Sequence, residues 1–271
     1  MSKIWFITGT SSGFGRLWAR AALDRGDRVV ATARDTTSLD DLVERFGEAV
    51  LPLELDVTDR EEVFAAVENA VRRFGRLDVV VNSAGYGHTG MVEEVTEREL
   101  RQQMETNFFG AVWVTQAVLP VLRRQGAGHL LQVTSEGGVR AYPGFGAYHA
   151  SKWAVEGLTE ALTQEIEGFG VHVTLVEPGP FATGFASRGL RTSAELPDYA
   201  GTREATAPAF RVGDPAATGP AILALVDAAD PPRRLILGDV LAEIETIYED
   251  RLHTWRDWQA VSLAAFGTPA G

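Results

Sequence analysis

The stretch IWFITGTSSGFGRLWARAALDRG, residues 4–26, decides the fold. A short apolar run enters a glycine-rich turn, and the turn enters a segment with apolar residues at helical spacing. Gly9, Gly13 and Gly15, spaced G-x-x-x-G-x-G, let backbone N–H groups approach a pyrophosphate with the positive end of a helix behind them. Thr8, Thr10, Ser11 and Ser12 add donors on the same loop, and Phe14 lies between its last two glycines. The plainer alternative is a flexible turn that binds nothing. Strand before and helix after favour a nucleotide site.

The same alternation continues outward. RVVATA (28–33), VLPLEL (50–55), LDVVVN (77–82), HLLQVT (129–134), VHVTLVE (171–177) and RRLILG (233–238) are apolar nearly throughout, as strands covered on both faces of a parallel sheet require. Between them lie EEVFAAVENAVRRFG, the segment from about Glu97 to Arg124, and AYHASKWAVEGLTEALTQEI, several ending at glycines such as Gly26, Gly75 and Gly126. The pattern predicts one α/β domain over residues 1–271, with a doubly wound parallel sheet of about seven strands flanked by helices. Residues 180–214 lack periodicity and read as a lid or binding loop. Residues 239–262 read as a C-terminal helix whose aromatics pack against the domain or a sister subunit.

The chain of 271 residues carries 25 basic and 37 acidic side chains, a net charge of −12 that disfavours nucleic acid or an anionic membrane as partner. It has no cysteine, which excludes disulfides, thiolate catalysis and cysteine metal sites. No run approaches the roughly 18 apolar residues of a membrane span, and no leader pattern opens the sequence, so a cytoplasmic protein is expected.

Cofactor choice turns on the end of the second strand. In ATARD, Arg34 with Ser11 or Ser12 can clamp a ribose 2′-phosphate, whereas Asp35 would hold a 2′-hydroxyl. The reading favours NADP(H) over NAD(H). Asp56 can accept from an adenine amino group and Val57 cover the ring, unless Asp56 or Thr58 only caps the next helix. Asn82, Ala84 and Gly85 end the fourth strand in small residues that let a cofactor lie close to backbone.

Lysine occurs twice, at Lys3 and Lys152, and Lys152 stands one helical turn after Tyr148. A nearby ammonium is expected to lower the phenol pKa and make proton transfer at oxygen practicable, while its stem reaches ribose hydroxyls. Ser135 directly follows HLLQVT (129–134) and faces the same crevice, where it can hold a carbonyl oxygen beside the tyrosine.

These residues together resemble the short-chain dehydrogenase/reductase family. The matching pieces are TGTSSGFG, LDV at 55–57, NSAG at 82–85, TNFFGA with Asn107, VTS ending at Ser135, YHASK and PGPFAT at 178–183. The resemblance covers nearly the whole chain and implies a Rossmann fold. It implies a catalytic tetrad of Asn107, Ser135, Tyr148 and Lys152, with Asn107 positioning a water that relays protons to Lys152. It also implies nicotinamide contacts from Pro178, Gly179 and Thr183, and a homodimer or homotetramer packed through helices at 97–124 and 146–168. Ser83 departs from the family's usual second asparagine, and Thr134 from a frequent serine. Arg34 is similar to NADP-preferring members, including hydroxysteroid and retinol dehydrogenase-like enzymes.

Glu136, Tyr142, Phe145 and Phe185, beside Ser135 and Tyr148, are the candidates for a substrate pocket, and their aromatic content points to a small, apolar ketone or secondary alcohol. His88, His129, His149, His172 and His253 have no metal-ligand spacing, no metal is expected, and His149 reads as structural. Glu61-Glu62 and Glu93-Glu94 read as solvated helix faces. Two rivals are a non-catalytic NADP(H)-binding sensor or scaffold, which has no need of a complete Ser–Tyr–Lys set, and an epimerase or dehydratase, for whose larger substrate domain the chain has little room.

Overall fold

The computed structural model describes residues 2–185, 189–206 and 211–267. Its strands are β1 (Ile4–Ile7), β2 (Arg28–Ala33), β3 (Val50–Glu54), β4 (Val79–Asn82), β5 (Gly87–Thr89), β6 (Gly128–Val133), β7 (Val171–Pro178), β8 (Leu190–Thr192) and β9 (Arg234–Leu237). Its helices are α1 (Gly13–Asp24), α2 (Asp40–Phe46), α3 (Arg60–Phe74), α4 (Glu97–Met104), α5 (Gly110–Gln125), α6 (Gly146–Glu165), α7 (Ala200–Thr206), α8 (Thr218–Asp227), α9 (Leu241–Asp257) and α10 (Gln259–Phe266).

The seven apolar runs become the seven strands of one parallel sheet, in the order β3-β2-β1-β4-β6-β7-β9. Successive residues of β1 serve opposite faces, as strand geometry requires. Trp5 and Ile7 join Trp18 and Ala22 of α1 and Ile222 of α8 in one core; Ile4 and Phe6 join Val63 and Val67 of α3, Val114 and Val118 of α5 and Leu162 of α6 in the other. Burying each such side chain contributes about 1.5–3 kcal/mol. The two buried indoles also keep their N–H partnered, Trp5 to Asp27 at 2.9 Å and Trp18 to Thr218 at 2.8 Å. Helices α3 and α5 end at Gly75 (φ 82°) and Gly126 (φ 65°), left-handed positions that a side chain would strain.

The chain builds β1, β2 and β3 toward one edge and then returns to place β4 on the other side of β1. That reversal opens a crevice at the carboxyl ends of β1 and β4, where ligands bind in open parallel sheets.

Three expectations need correction. Residues 180–214 are not irregular throughout: β8 pairs in parallel with β5, and α7 follows, while 186–188 and 207–210 lie outside the described residues. The segment from Glu97 to Arg124 is not one helix, because a π turn at Glu105–Phe109 separates α4 from α5. The C-terminal helix breaks at Trp258 into α9 and α10. Helix α2 had no counterpart among the segments read from sequence.

Candidate active site

The glycine loop closes against the end of β4. Gly9 has φ +71°, and a Cβ there would sit 2.8 Å from the Ala84 backbone; a Cβ on Gly15 would strike the Gly9 carbonyl at 2.6 Å. Only glycine permits this approach. The Thr8 hydroxyl fastens the two loops by accepting from the Ser83 and Ala84 N–H groups, each at 3.0 Å. Ser12 caps α1 by position but makes no side-chain cap bond, and no acidic residue stands in the first turn. By contrast, Asp59 accepts from two N–H groups of α3, and Thr96 with Glu99 forms a capping box on α4. The N-terminal amides of α1 are therefore left to an anion.

Beyond the ends of β4, β6 and β7, Ser135, Tyr148, Lys152 and Asn107 come together, each under a tenth exposed. The Ser135 hydroxyl donates to the Pro178 carbonyl at 3.3 Å and accepts from Gly137 N–H at 3.1 Å. Tyr148 and Lys152 share one face of α6, with Lys152 Nζ 5.9 Å from the phenol ring centroid and 2.9 Å from the Val133 carbonyl. Asn107 lies in the π turn. Its amide donates to the Tyr86 carbonyl (2.9 Å) and the Ser151 hydroxyl (3.0 Å), and its oxygen accepts from Tyr86 N–H (3.1 Å). Ser151 in turn donates to the Tyr148 carbonyl at 2.7 Å. Asn107 thus ties the end of β4 to the helix carrying Tyr148 and Lys152.

The phenol differs from the expectation. Burial pushes Tyr148 up to about 12, with the Ser135 hydroxyl pulling the other way. Burial also draws Lys152 down to about 8, opposed by the Glu156 carboxylate. Desolvation outweighs the Ser135 hydroxyl, and the Glu136 carboxylate adds to it, so the protein alone keeps Tyr148 protonated at neutral pH.

The family model for short chain dehydrogenases matches residues 3–193. The chain belongs to the short-chain dehydrogenase family. Oxidoreductase BOA17 of Botryotinia fuckeliana is 40% identical over 98% of this chain and 100% of its own length. A 3-ketodihydrosphingosine reductase of Bacteroides thetaiotaomicron is 39% identical over 88% of this chain and 89% of its own. Among solved structures, a short-chain dehydrogenase from Streptomyces avermitilis aligns with a TM-score of 0.90 at 40% identity, covering 97% of this chain and 98% of its own. An alcohol dehydrogenase from Thermococcus sibiricus complexed with 5-hydroxy-NADP (TM-score 0.73, 28% identity, 88% and 96% covered) and a Burkholderia phymatum short-chain dehydrogenase/reductase in complex with NAD (0.77, 25%, 93% and 95%) share the fold.

In this short-chain dehydrogenase the cradle at Gly9, Gly13 and Gly15 and the uncapped end of α1 fit the pyrophosphate of a nicotinamide dinucleotide. Other expected contacts differ in what they can offer. The Asn82 side chain turns inward, donating to Gln132 at 2.9 Å and Thr115 at 3.2 Å, so only its backbone faces the crevice. Phe14 packs its ring on Trp18 and Phe181, 5.2 and 5.4 Å between centroids, and Val57 is buried against Gly110. Asp56 accepts from the Thr58 N–H and hydroxyl, while Asp59 caps α3. Ser11, Ser12, Arg34 and Gly85 are exposed along the crevice. Pro178 ends β7; Gly179 N–H donates to Leu237 O at 2.8 Å, and the Thr183 hydroxyl accepts from Phe185 N–H at 3.3 Å.

On the substrate side, Phe185 and Phe145 stand 5.6 and 6.4 Å from the Tyr148 ring. Tyr142 packs edge-on to His149 at 4.5 Å, and burial raises its phenol. Glu136 is buried and paired with Arg140, so it shapes the wall without presenting a free carboxylate. Sequence reasoning missed Glu94. Its side chain is fully covered and accepts from Arg203 (2.6 Å) and Leu196 N–H (2.8 Å) of the lid and Met91 N–H (2.7 Å) of the body, so it is no solvated helix face. The capping box at Thr96–Glu99 was the available signal, since it starts α4 only after Glu94 and leaves that residue in a loop. Among the described residues no group of three His, Asp or Glu side chains is placed to hold a metal ion, and no helix is long and apolar enough to cross a membrane.

Proposed function

We propose that this chain is an NADP(H)-dependent oxidoreductase that interconverts a carbonyl and a secondary alcohol on a small, apolar substrate, with Tyr148 as acid and base. The convergence of Ser135, Tyr148 and Lys152 beside the glycine loop is the observation that carries this reading. When bound, the dinucleotide supplies or accepts the hydride. Ser135 orients the substrate carbonyl, and Tyr148 gives its proton to the oxygen as it becomes an alcohol; oxidation runs the same path backwards. Burial keeps that proton on the phenol until it is needed, and the Lys152 ammonium stabilises the phenolate left behind. Lys152 would also hold the ribose, and Asn107 would position a water that returns a proton to Lys152.

NADP(H) is favoured by the chain's own residues. Asp35 spends its carboxylate on the Thr37 N–H (3.0 Å) and hydroxyl (2.7 Å), which hold it below the usual carboxylate range. Arg34 is exposed and makes no hydrogen bond or ion pair among the described residues. Arg16 is already taken up by the Ser38 carbonyl at 2.7 Å and the Asp41 carboxylate, which leaves Arg34 as the guanidinium open to a 2′-phosphate. Solved relatives carry either nucleotide, 5-hydroxy-NADP in the Thermococcus sibiricus structure and NAD in the Burkholderia phymatum one, so the choice rests on Arg34 and Asp35; the Bacteroides relative, named as a reductase of a 3-keto compound, supports carbonyl reduction. A cytoplasmic homo-oligomer acting on small molecules completes the reading.

Tyr148→Phe should lower kcat/KM for NADPH-dependent reduction of a ketone panel by about 10²–10⁴, while NADPH binding followed by fluorescence stays unchanged. Equal turnover by the variant and wild type would remove Tyr148 from the chemistry.

A further inference from the structure

Tyr148 and Lys152 open a longer series on α6. Glu156 and Glu160 follow a turn apart, so an ammonium and two carboxylates run on behind the phenol. Glu160 is exposed, but Glu156, at 5%, is buried as deeply as Lys152 at 7%. The chemistry described above uses Tyr148 and Lys152 and leaves Glu156 without a part.

A buried carboxylate persists only where something offsets its charge. Arg234 of β9 donates to Glu156 Oε2 at 2.6 Å. The same guanidinium also pairs with Glu160 and with Glu177 of β7, which is 2% exposed. One cation therefore faces two buried carboxyls and a third at the surface. The other oxygen of Glu156, Oε1, is buried and makes no hydrogen bond among the described residues. It lies over Gly138, where a Cβ would sit 2.9 Å away. A bridge meant only to tie α6 to β9 could use Glu160 alone, from the surface and without the cost of burial.

Lys152 has the opposite shortfall. Its Nζ donates to the Val133 carbonyl of β6 at 2.9 Å, and no carboxylate forms an ion pair with it among the described residues. Glu136 is engaged by Arg140, and the Asn107 side chain is committed to Tyr86 and Ser151. Burial draws Lys152 down, and Glu156 is the group that opposes it. Burial likewise pushes the Glu156 carboxyl up, and Thr134 and Arg234 pull it back. Thr134 follows Val133 in sequence, so the ammonium and the carboxylate rest against consecutive residues at the end of β6. A cation short of an anion thus stands one turn from an anion short of a cation.

We propose that Glu156 is a positioning residue for the reaction: its carboxylate, held by Arg234, is the counter-charge that keeps the Lys152 ammonium beside Tyr148. The assignment rests on the catalytic reading of Lys152 and adds the group that sustains it.

The ammonium can be followed without turnover. The chain has two lysines, so isotope-labelled lysine gives two side-chain resonances, and Lys3→Arg identifies that of Lys152. In an NMR pH titration of the full chain, Glu156→Gln should lower the Lys152 midpoint by about one unit. Glu160→Gln removes an Arg234 partner but spares the buried carboxylate, and should leave the midpoint in place. The basic limb of the kcat/KM profile for NADPH-dependent ketone reduction should move down with the Lys152 midpoint in Glu156→Gln, with the acid side unchanged. Glu156→Leu/Arg234→Met removes both members of the buried pair, should lower the midpoint equally, and guards against misfolding of the single variant. An unmoved midpoint in a folded variant lacking Glu156, or an equal shift from Glu160→Gln, would overturn the proposal. An active Tyr148→Phe would instead strike the catalytic reading, which the lysine titration does not need.

Discussion

Arg34 and Asp35 are neighbours with different occupations. The aspartate is used by its own turn, whereas the guanidinium is left to solvent at the crevice. Charge-assisted hydrogen bonds contribute about 1.5–3 kcal/mol, so Arg34→Ala should weaken NADPH binding by roughly ten- to a hundredfold and leave NADH nearly unchanged. Fluorescence titration of both nucleotides measures the ratio, and an unchanged ratio would sink the assignment. Sequence spacing could name both residues but not choose between them, because the choice rests on Thr37, two positions on. The same limit governs Tyr148. Its partnership with Lys152 was legible from the i, i+4 spacing, but the direction of its pKa was not, since burial is a property of the packed molecule. Asn82 was legible as a strand end, yet its side chain answers to Thr115 and Gln132, remote in sequence.

Elements covered on both faces announced themselves, and short ones did not. The seven sheet strands are nearly continuous apolar runs, whereas β5 and β8 have three residues each and are defined only by each other. The π turn left no mark in the apolar pattern because Asn107, the residue it turns inward, is polar. Where α6 meets β7 and β9, Arg234 of β9 bonds Glu156 at 2.6 Å and also pairs with Glu177 and exposed Glu160. Burial, with Glu156 adding to it, pushes Glu177 up to about 7. A carboxyl raised in the folded state stabilises most below its unfolded value near 4.5 and loses that contribution as pH rises through about 7. Wild-type Tm should therefore fall between pH 5 and pH 8 by more than that of Glu177→Gln, with each kcal/mol worth about 2–4 °C. Parallel melting curves check this, and equal slopes would count against it.

At the scale of the whole molecule, the lid is bolted from outside the chemistry. Glu94 holds Leu196 and Arg203, Glu93 accepts from the Tyr199 hydroxyl at 2.7 Å, and Ser193 N–H donates to the Thr89 carbonyl at 2.9 Å. Glu94→Ala should make residues 189–206 about tenfold more sensitive to limited proteolysis, read by mass spectrometry, with the sheet's melting little changed. An unaltered cleavage rate would mean that β5–β8 pairing alone holds the lid. A different consequence follows from how the positive charge is distributed. Of 25 basic residues only two are lysines; Lys152 is buried, and Lys3 is engaged by Asp227 and the Val226 carbonyl, each at 2.7 Å. Everything else cationic on the side chains is guanidinium or imidazole, which do not condense with aldehydes and ketones as primary amines do. The carbonyl compounds proposed as substrates thus meet almost no side-chain amine on this surface with which to form an imine, and an amine-selective label would report on very few places in the fold.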